Sequence, residues 1–230
     1  MPDRPGPDAV LWDMDGTLVD SEKLWTVALH DTARWLGGTM SQAARDAVVG
    51  GDMPRTLATL FDDLGLPRDP ARMADAERYI DGRTAELFAG GLPWRPGAQE
   101  ALRMVDDLGW PTALVTNTGR ALTEVALDSI GREHFTASVC ADEVPFGKPD
   151  PDPYLRAAEL LGMAPARCLA IEDSPNGALA AQRSGAAVLV VPCDVPVPGG
   201  PGRVLRTSLD GLTRDDLHAS YAEARGERVA

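Results

Sequence analysis

Short apolar runs that alternate with helical patterns restrict the fold of this 230-residue chain more than any other feature. Each run has the length and composition of a buried strand. The predicted strands are Ala9–Trp12, Thr112–Val115, Ala137–Cys140, Cys168–Ile171 and Val188–Val191. Amphipathic helices are predicted at Ala98–Leu108, Leu122–Ile130, Pro153–Leu161 and Asn176–Ser184. Because this alternation is typical of βαβ units, we expect an α/β fold whose parallel sheet is covered by helices on both faces.

The segment from about residue 22 to residue 90 breaks the alternation, because it carries helical patterns and no strand signal. Residues at helical spacing on one face of its first helix are Trp25, Ala28, Leu29, Thr32, Trp35 and Leu36. Further helical patterns cover Pro54–Leu64 and Ala71–Phe88. We therefore predict a helical bundle, residues 21–92, inserted into an α/β domain formed by residues 1–20 and 93–230. The aromatic face is interpreted as the core of this bundle rather than as a wall of a substrate site.

Charge and cysteine usage exclude several classes of function. The formal net charge is −13, which argues against nucleic acid and anionic membranes as partners. No apolar stretch approaches the roughly 20 residues of a membrane span, and the N-terminus lacks the pattern of a secretory signal. Three widely spaced cysteines predict reduced thiols and neither a disulfide framework nor a thiolate metal site. We expect a cytoplasmic protein.

Chemically active side chains follow the predicted strands. Ligands of open α/β sheets bind beyond the carboxyl ends of the strands, so residues in those positions are candidates for one shared site. They are Asp13 and Asp15 after the first strand, Thr116 and Asn117 after the second, Glu172 and Asp173 after the fourth, and Lys148 from a preceding loop. Asp13 and Asp15 are two positions apart, so their side chains point the same way.

Four clustered carboxylates cannot all stay ionised without a compensating charge. A hard divalent cation supplies that charge, and oxygen ligands without His or Cys favour Mg²⁺. Mg²⁺ commonly binds one or two carboxylates together with a substrate phosphate. Lys148 would supply a fixed positive charge for phosphate oxygens, and Gly16 would allow backbone N–H groups to approach them. The residues alone thus predict a Mg²⁺ and phosphate site.

At these positions the chain resembles the haloacid dehalogenase superfamily. The stretch DMDGTLVD resembles its first motif, Thr116 its second, Lys148 its third and Glu172 with Asp173 its fourth. The stretches VDSE, GKPDPDPY and IEDSPNGALAA are similar to the branch that contains β-phosphoglucomutase and phosphoglycolate phosphatase. The resemblance implies a Rossmann-like core domain with an inserted α-helical cap, which corresponds to residues 21–92.

The resemblance also implies roles in catalysis. Asp13 would be the nucleophile that forms an aspartyl-phosphate, and Asp15 would be the general acid and base. Mg²⁺ would be held by Asp13, the backbone carbonyl of Asp15 and Asp173, with Glu172 assisting directly or from outside the ligand set. The presence of Asp15 favours phosphate esters over halides, since a halide leaving group needs no acid.

Binding roles follow from the same resemblance. Thr116, Asn117 and Lys148 would bind the transferring phosphoryl group. The cap would close over the site and select the leaving group. Arg55 and Arg120 are candidate substrate contacts.

The resemblance leaves three functions open. We expect a phosphatase for a small phosphorylated metabolite, such as a sugar or polyol phosphate or a phosphoglycolate-like compound, acting as a monomer. A β-phosphoglucomutase-type isomerase is the alternative, although that enzyme carries a histidine where Trp25 aligns and an arginine where Met53 aligns. A non-catalytic binding module is the third reading, but no motif residue is missing.

Overall fold

The computed structural model describes residues 6–48, 51 and 53–227. Its centre is a six-stranded parallel sheet in the order β3-β2-β1-β4-β5-β6. The strands are β1 Ala9–Trp12, β2 Thr112–Val115, β3 Ala137–Val139, β4 Cys168–Glu172, β5 Ala187–Val190 and β6 Arg203–Leu205. The expected α/β class and the parallel sheet are confirmed. β6 was not predicted, because three residues at the edge of a sheet, next to a loop rich in proline and glycine, carry almost no periodic signal.

Helices cover both faces of the sheet and fill the insertion after β1. They are α1 Glu22–Trp35, α2 Gln42–Val48, α3 Met53–Asp63, α4 Pro70–Ala89, α5 Ala98–Asp107, α6 Arg120–Ile130, α7 Asp152–Leu160, α8 Pro175–Ser184 and α9 Arg214–Ala224. α9 was not predicted, because only Leu217 and Tyr221 give it large buried apolar side chains. None of the described helices combines the length and apolar character that a membrane crossing requires.

The alternation of side chains along each strand builds two cores, one on each face of the sheet. Val10 and Trp12 of β1 pack on one face with apolar residues of α5, α6 and α9. Ala9 and Leu11 pack on the other face with α7 and α8. The sheet is therefore buried on both faces, as a parallel sheet must be.

Helices α1 to α4 enclose a third apolar cluster, which includes Leu29, Leu60, Phe61 and Ile80. The two segments that connect these helices to the sheet lie side by side, since the N–H of Asp20 donates to the carbonyl of Pro93 at 2.8 Å. A separate core and two adjacent connections support the proposal that residues 21–92 form a cap domain.

One member of the predicted aromatic core of the cap is exposed. Trp35 is 48% exposed and stacks on Tyr79 with ring centroids 4.9 Å apart. The helical spacing placed Trp35 on the apolar face, but its ring lies at the surface against Tyr79 of α4, whereas the next residue, Leu36, is buried in the cap core. The prediction that it belongs to the core is wrong.

Candidate active site

The candidate site lies where the strand order of the sheet reverses. β1 pairs with β2 on one side and with β4 on the other. The strand that follows β1 in the sheet lies on the β2 side, whereas the strand that follows β4 lies on the opposite side. Such a point is where open α/β sheets bind ligands. Asp13 follows β1, Glu172 ends β4 and Asp173 comes next. These three carboxylates are brought together by strand pairing alone.

Lys148 is the centre of the charge network at this edge. Its Nζ donates to Oδ1 of Asp13 at 2.6 Å, to Oε1 of Glu172 at 2.7 Å and to the carbonyl of Val115 at 2.8 Å. The side chain of Lys148 is 4% exposed and that of Glu172 is completely buried. Tyr154 also donates to Oε1 of Glu172, at 2.7 Å. A buried ammonium is thus matched by two carboxylates and a carbonyl.

The ionisation of these groups is strongly perturbed. Burial, and then the charge of Glu172, raises the pKa of Asp13 to about 7, against the opposing effect of Lys148. Burial alone would lower the pKa of Lys148, but the charges of Asp13 and Glu172 raise it overall. Burial and the charge of Asp13 raise the pKa of Asp173. The cluster has more carboxylates than its single ammonium can neutralise, so an additional positive charge fits here.

Three carboxylates form a candidate metal centre. Asp13, Glu172 and Asp173 each have an oxygen within 4.8 Å of the others. Oδ2 of Asp13 is buried without a hydrogen-bond partner, and a cation at this position would satisfy it. Gly16 has a φ of 89°, and a Cβ there would overlap the carboxylate of Asp173. The donor set is all oxygen, which suits a hard cation.

Both carboxylate oxygens of Glu172 are used in hydrogen bonds to neighbouring residues. Oε1 accepts from Lys148 and Tyr154, while Oε2 accepts from the N–H groups of Asp173 and Ser174 and from Oγ of Ser174. Both oxygens are therefore engaged, whereas Oδ2 of Asp13 is not.

The carboxylate of Asp15 is held between the cap and the segment after β2. Its Oδ1 accepts from Oγ of Ser21 at 2.5 Å and from Nε1 of Trp25 at 3.4 Å. Its Oδ2 accepts from Oγ1 of Thr118 at 2.8 Å and from Oγ1 of Thr116 at 3.1 Å. Four donors, two from the cap side and two after β2, hold this carboxylate in one orientation.

Two residues expected to bind phosphate are engaged with other partners. The side chain of Asn117 accepts from the N–H of Lys148 at 2.8 Å and donates to the Lys148 carbonyl at 3.0 Å. Thr116 is buried, and its hydroxyl donates to Asp15 and accepts from the N–H of Thr118. Asn117 thus positions the loop of Lys148, and Thr116 helps to orient Asp15, because both lie directly after β2.

A cavity of about 900 Å³ opens above these groups between the sheet and the cap. Asp13, Asp15, Lys148 and Asp173 lie on its floor. Trp25 lines it as well and also packs against the cap core, so this aromatic residue belongs both to the core and to the wall of the site. The indole reaches the cavity because α1 begins directly beside the Asp15 carboxylate.

Neither arginine proposed as a substrate contact is among the described residues that line this cavity. Arg55 lies exposed on α3. Arg120 begins α6, where its guanidinium contacts Glu143, Glu124 and Ser138. These two contacts were inferred from position in the sequence, which does not indicate where a long side chain ends.

Residues that the sequence reasoning missed are Ser21, Thr118, Glu22 and Arg45. Thr118 carries a recognisable signal, because it is a second hydroxyl residue in the segment that directly follows β2. Glu22 and Arg45 meet across two cap helices, at 2.8 Å, and no local pattern indicates that contact.

Comparisons with known proteins agree with this geometry. The family model for haloacid dehalogenase-like hydrolases matches residues 7–185. Hexitol phosphatase B of Escherichia coli K12 is 33% identical over 221 residues, covering 91% of this chain and 96% of the relative. The Drosophila melanogaster protein described as a probable pseudouridine-5'-phosphatase is 34% identical over 193 residues, covering 79% of this chain and 80% of the relative.

A solved structure is similar over most of the chain. CbbY from Rhodobacter sphaeroides, in complex with xylulose-(1,5)bisphosphate, superposes with a TM-score of 0.80 at 28% identity, covering 90% of this chain and 96% of that one. The family match spans strands β1 to β4, the inserted helices and the four groups of strand-end residues. This chain belongs to the haloacid dehalogenase-like hydrolases.

Proposed function

We propose that this hydrolase is a Mg²⁺-dependent phosphatase that removes phosphate from a small phosphorylated sugar or polyol through an aspartyl-phosphate on Asp13. One observation carries the proposal. Oδ1 of Asp13 is held by Lys148, while Oδ2 is buried without a partner on the floor of the cavity. Lys148 thus fixes the orientation of a carboxylate that has two oxygens to offer, one for attack on phosphorus and one for the metal.

The first step transfers the phosphoryl group to the protein. An oxygen of Asp13 forms a bond to phosphorus as the bond between phosphorus and the leaving oxygen breaks. Asp15 gives its proton to that leaving oxygen, which departs as an alcohol. Its four hydrogen-bond donors keep it aligned beside Asp13 for this transfer.

The second step releases phosphate. Asp15, now ionised, takes a proton from a water molecule as the water oxygen attacks the phosphorus of the aspartyl-phosphate. The bond from Asp13 to phosphorus breaks, and inorganic phosphate and the free carboxylate result. Splitting the displacement into two steps in this way is the usual advantage of covalent catalysis.

Asp13, the Asp15 carbonyl and Asp173 would hold Mg²⁺. When bound, Mg²⁺ supplies positive charge next to the transferring phosphoryl oxygens. Lys148 supplies a second positive charge and keeps Asp13 in place, and Glu172 keeps Lys148 in place. The excess of carboxylates over ammonium groups supports this assignment.

The substrate class rests on the relatives and the cavity. Hexitol phosphatase B supports a polyol phosphate, and a cavity of about 900 Å³ accommodates a molecule of that size. The residues proposed for catalysis are complete within one chain, so the proposed mechanism requires no oligomer. Cys140, Cys168 and Cys193 are free thiols, which supports a reducing compartment such as the cytoplasm.

The test is phosphate release from a panel of phosphorylated sugars, polyols and phosphoglycolate in the presence of Mg²⁺. We expect turnover by the natural chain and none by Asp13→Asn or after chelation with EDTA. Unchanged release by Asp13→Asn would overturn the mechanism. Conversion of β-glucose 1-phosphate to glucose 6-phosphate without phosphate release would instead identify the isomerase. No reaction with any ester would favour the binding module.

A further inference from the structure

An ion pair between buried Arg45 and partly buried Glu22 lines the cavity on the cap side. Arg45 of α2 is 8% exposed, and its Nη2 donates to Oε2 of Glu22 at 2.8 Å. Its Nε donates to Oγ1 of Thr26 at 2.7 Å, and Nη2 also lies 3.3 Å from the Glu22 carbonyl. Three contacts to α1 fix this guanidinium in the cap.

Glu22 faces the reacting groups. It is the first residue of α1, directly after Ser21, which donates to Asp15. Burial raises the pKa of Glu22, hydrogen bonding and charge from Arg45 oppose this, and the charges of Asp15 and Asp194 add to the increase. Glu22 and Arg45 therefore both line the cavity on the side of the cap, close to Asp15.

Negatively charged side chains outnumber positively charged ones on the cap side of the cavity. Among the described lining residues, only Arg45 and Lys148 are cationic. Lys148 is engaged with Asp13 and Glu172 at the floor, and Arg45 is engaged with Glu22. Helix α4 adds Glu77 and Asp81 to the wall, and the loop after β5 adds Asp194. Beyond the phosphate site, no described lining residue offers an uncompensated positive charge.

We propose that Glu22, by neutralising Arg45 within this acidic wall, makes the enzyme select phosphate monoesters with an uncharged, hydroxyl-rich leaving group and reject those with a second anionic group. This inference rests on the proposed phosphatase function. Glu22 is a specificity determinant that acts on the part of the substrate remote from the reacting phosphorus.

The physical reason is that the carboxylates of the wall attract hydroxyl groups and repel anions. Hydroxyl groups donate hydrogen bonds to carboxylates, which only accept, so Glu22, Glu77 and Asp81 suit a polyol. A carboxylate or second phosphate would meet like charges in a partly desolvated space. Arg45 cannot compensate, because its charge is already matched by Glu22. Specificity of this kind is produced by repulsion of the wrong substrate as much as by attraction of the right one.

The experiment compares kcat/KM for phosphate release from pairs of esters that differ by one anionic group. The pairs are glucitol 6-phosphate with 6-phosphogluconate, and glycerol 3-phosphate with 3-phosphoglycerate. We expect the uncharged member of each pair to be preferred about tenfold or more. In Glu22→Gln, Arg45 loses its matching charge, so the preference is expected to fall about tenfold, mainly through a lower KM for the anionic member.

Two further variants keep the test decisive. Glu86→Gln removes the same charge from an ion pair of the cap, with Arg83, but its side chain is 70% exposed and outside the cavity, so the preference should not change. Asp81→Asn removes a charge from the wall without touching Arg45, and a smaller change in the same direction is expected. If Glu22→Gln does not fold, the change in substrate preference of Asp81→Asn tests the effect of the acidic wall.

The outcomes separate this inference from the function on which it rests. Phosphate release with equal or better use of the anionic members overturns the inference alone. So does a preference that Glu22→Gln, with a normal melting temperature, leaves intact. No phosphate release from any member overturns the phosphatase proposal, and this inference with it.

Discussion

The ammonium group of Lys148 lies 2.6 Å from Oδ1 of Asp13, although the two residues are 135 positions apart in the chain. The same ammonium contacts the carbonyl of Val115 at the end of β2 and the carboxylate of Glu172 at the end of β4. One positive charge therefore joins the ends of three neighbouring strands. This contact links the stability of the sheet edge to the orientation of the proposed nucleophile.

Replacement of that ammonium should weaken both the fold and the activity. In Lys148→Met, two buried carboxylates lose their partner, and we expect the free energy of unfolding to fall by about 3–5 kcal/mol. The loss should be smaller at pH 5.5 than at pH 8. A carboxyl group whose pKa is higher in the folded than in the unfolded protein destabilises the fold as pH rises. Urea denaturation at both pH values measures this.

Lys23 provides the matched control, because Lys23 and Lys148 are the only lysines of the chain. Its side chain is 81% exposed and pairs with Asp20 at the surface. Lys23→Met should unfold at the same urea concentration as the natural chain. Equal effects of the two substitutions would contradict the role assigned to the buried pair.

The nucleophile is tested by Asp13→Asn. The amide keeps the shape of the side chain but cannot form the aspartyl-phosphate, so phosphate release should fall by about a thousandfold or more. The exposed Asp107→Asn, on α5, should retain full activity. Phosphate incorporation into the natural chain but not into Asp13→Asn, followed by mass spectrometry of the quenched protein, would locate the intermediate.

Mg²⁺ should stabilise the folded protein through the carboxylate cluster. Binding to the folded state alone contributes about 2.7 kcal/mol when the free ion is at 100 times its Kd. We expect the melting temperature to rise with Mg²⁺ and to return on chelation. Asp173→Asn should lose most of this rise, whereas Asp128→Asn, 75% exposed on α6, should keep it. An equal rise in both variants would place the metal elsewhere.

Thr118 should act as a positioning residue for proton transfer. Thr118→Val removes the 2.8 Å hydrogen bond to Asp15, so kcat should fall by about 10- to 100-fold with little change in KM. Thr118→Ser keeps the hydroxyl group and should recover most of the activity. A rise in KM without a change in kcat would instead indicate a contact to substrate.

Two glycines should respond in opposite ways to alanine. A Cβ at Gly177 would overlap the carboxylate of Glu172, so Gly177→Ala should displace that side chain from Lys148 and reduce both stability and activity. A Cβ at Gly82, within α4, would meet nothing within 4 Å. Gly82→Ala should therefore stabilise the protein by about 0.5–1 kcal/mol, since alanine favours the helix. Thermal unfolding of the two variants checks both signs.

The strands and the sheet-edge residues could be predicted because the patterns that indicate them lie within a few consecutive residues of the sequence. Each buried strand of a parallel sheet is a short apolar run, and the residue after it lies at the ligand-binding edge whatever the rest of the chain does. Asp13, Asp15 and Asp173 were found in this way. β6 was missed, because it is short and lies at the sheet edge, where little burial is required of its sequence.

The sequence by itself determined the α/β class, the inserted helices and the acidic edge of the sheet, since local periodicity and strand-end position suffice for these. Only the tertiary structure decided how the cap meets the core. In the folded protein Trp25 donates a hydrogen bond to Asp15, Arg120 forms an ion pair with Glu143, and Arg45 forms an ion pair with Glu22. Such contacts depend on the packing of helices that are distant in the chain, and neither hydrophobic spacing nor a strand-end motif carries information about that packing.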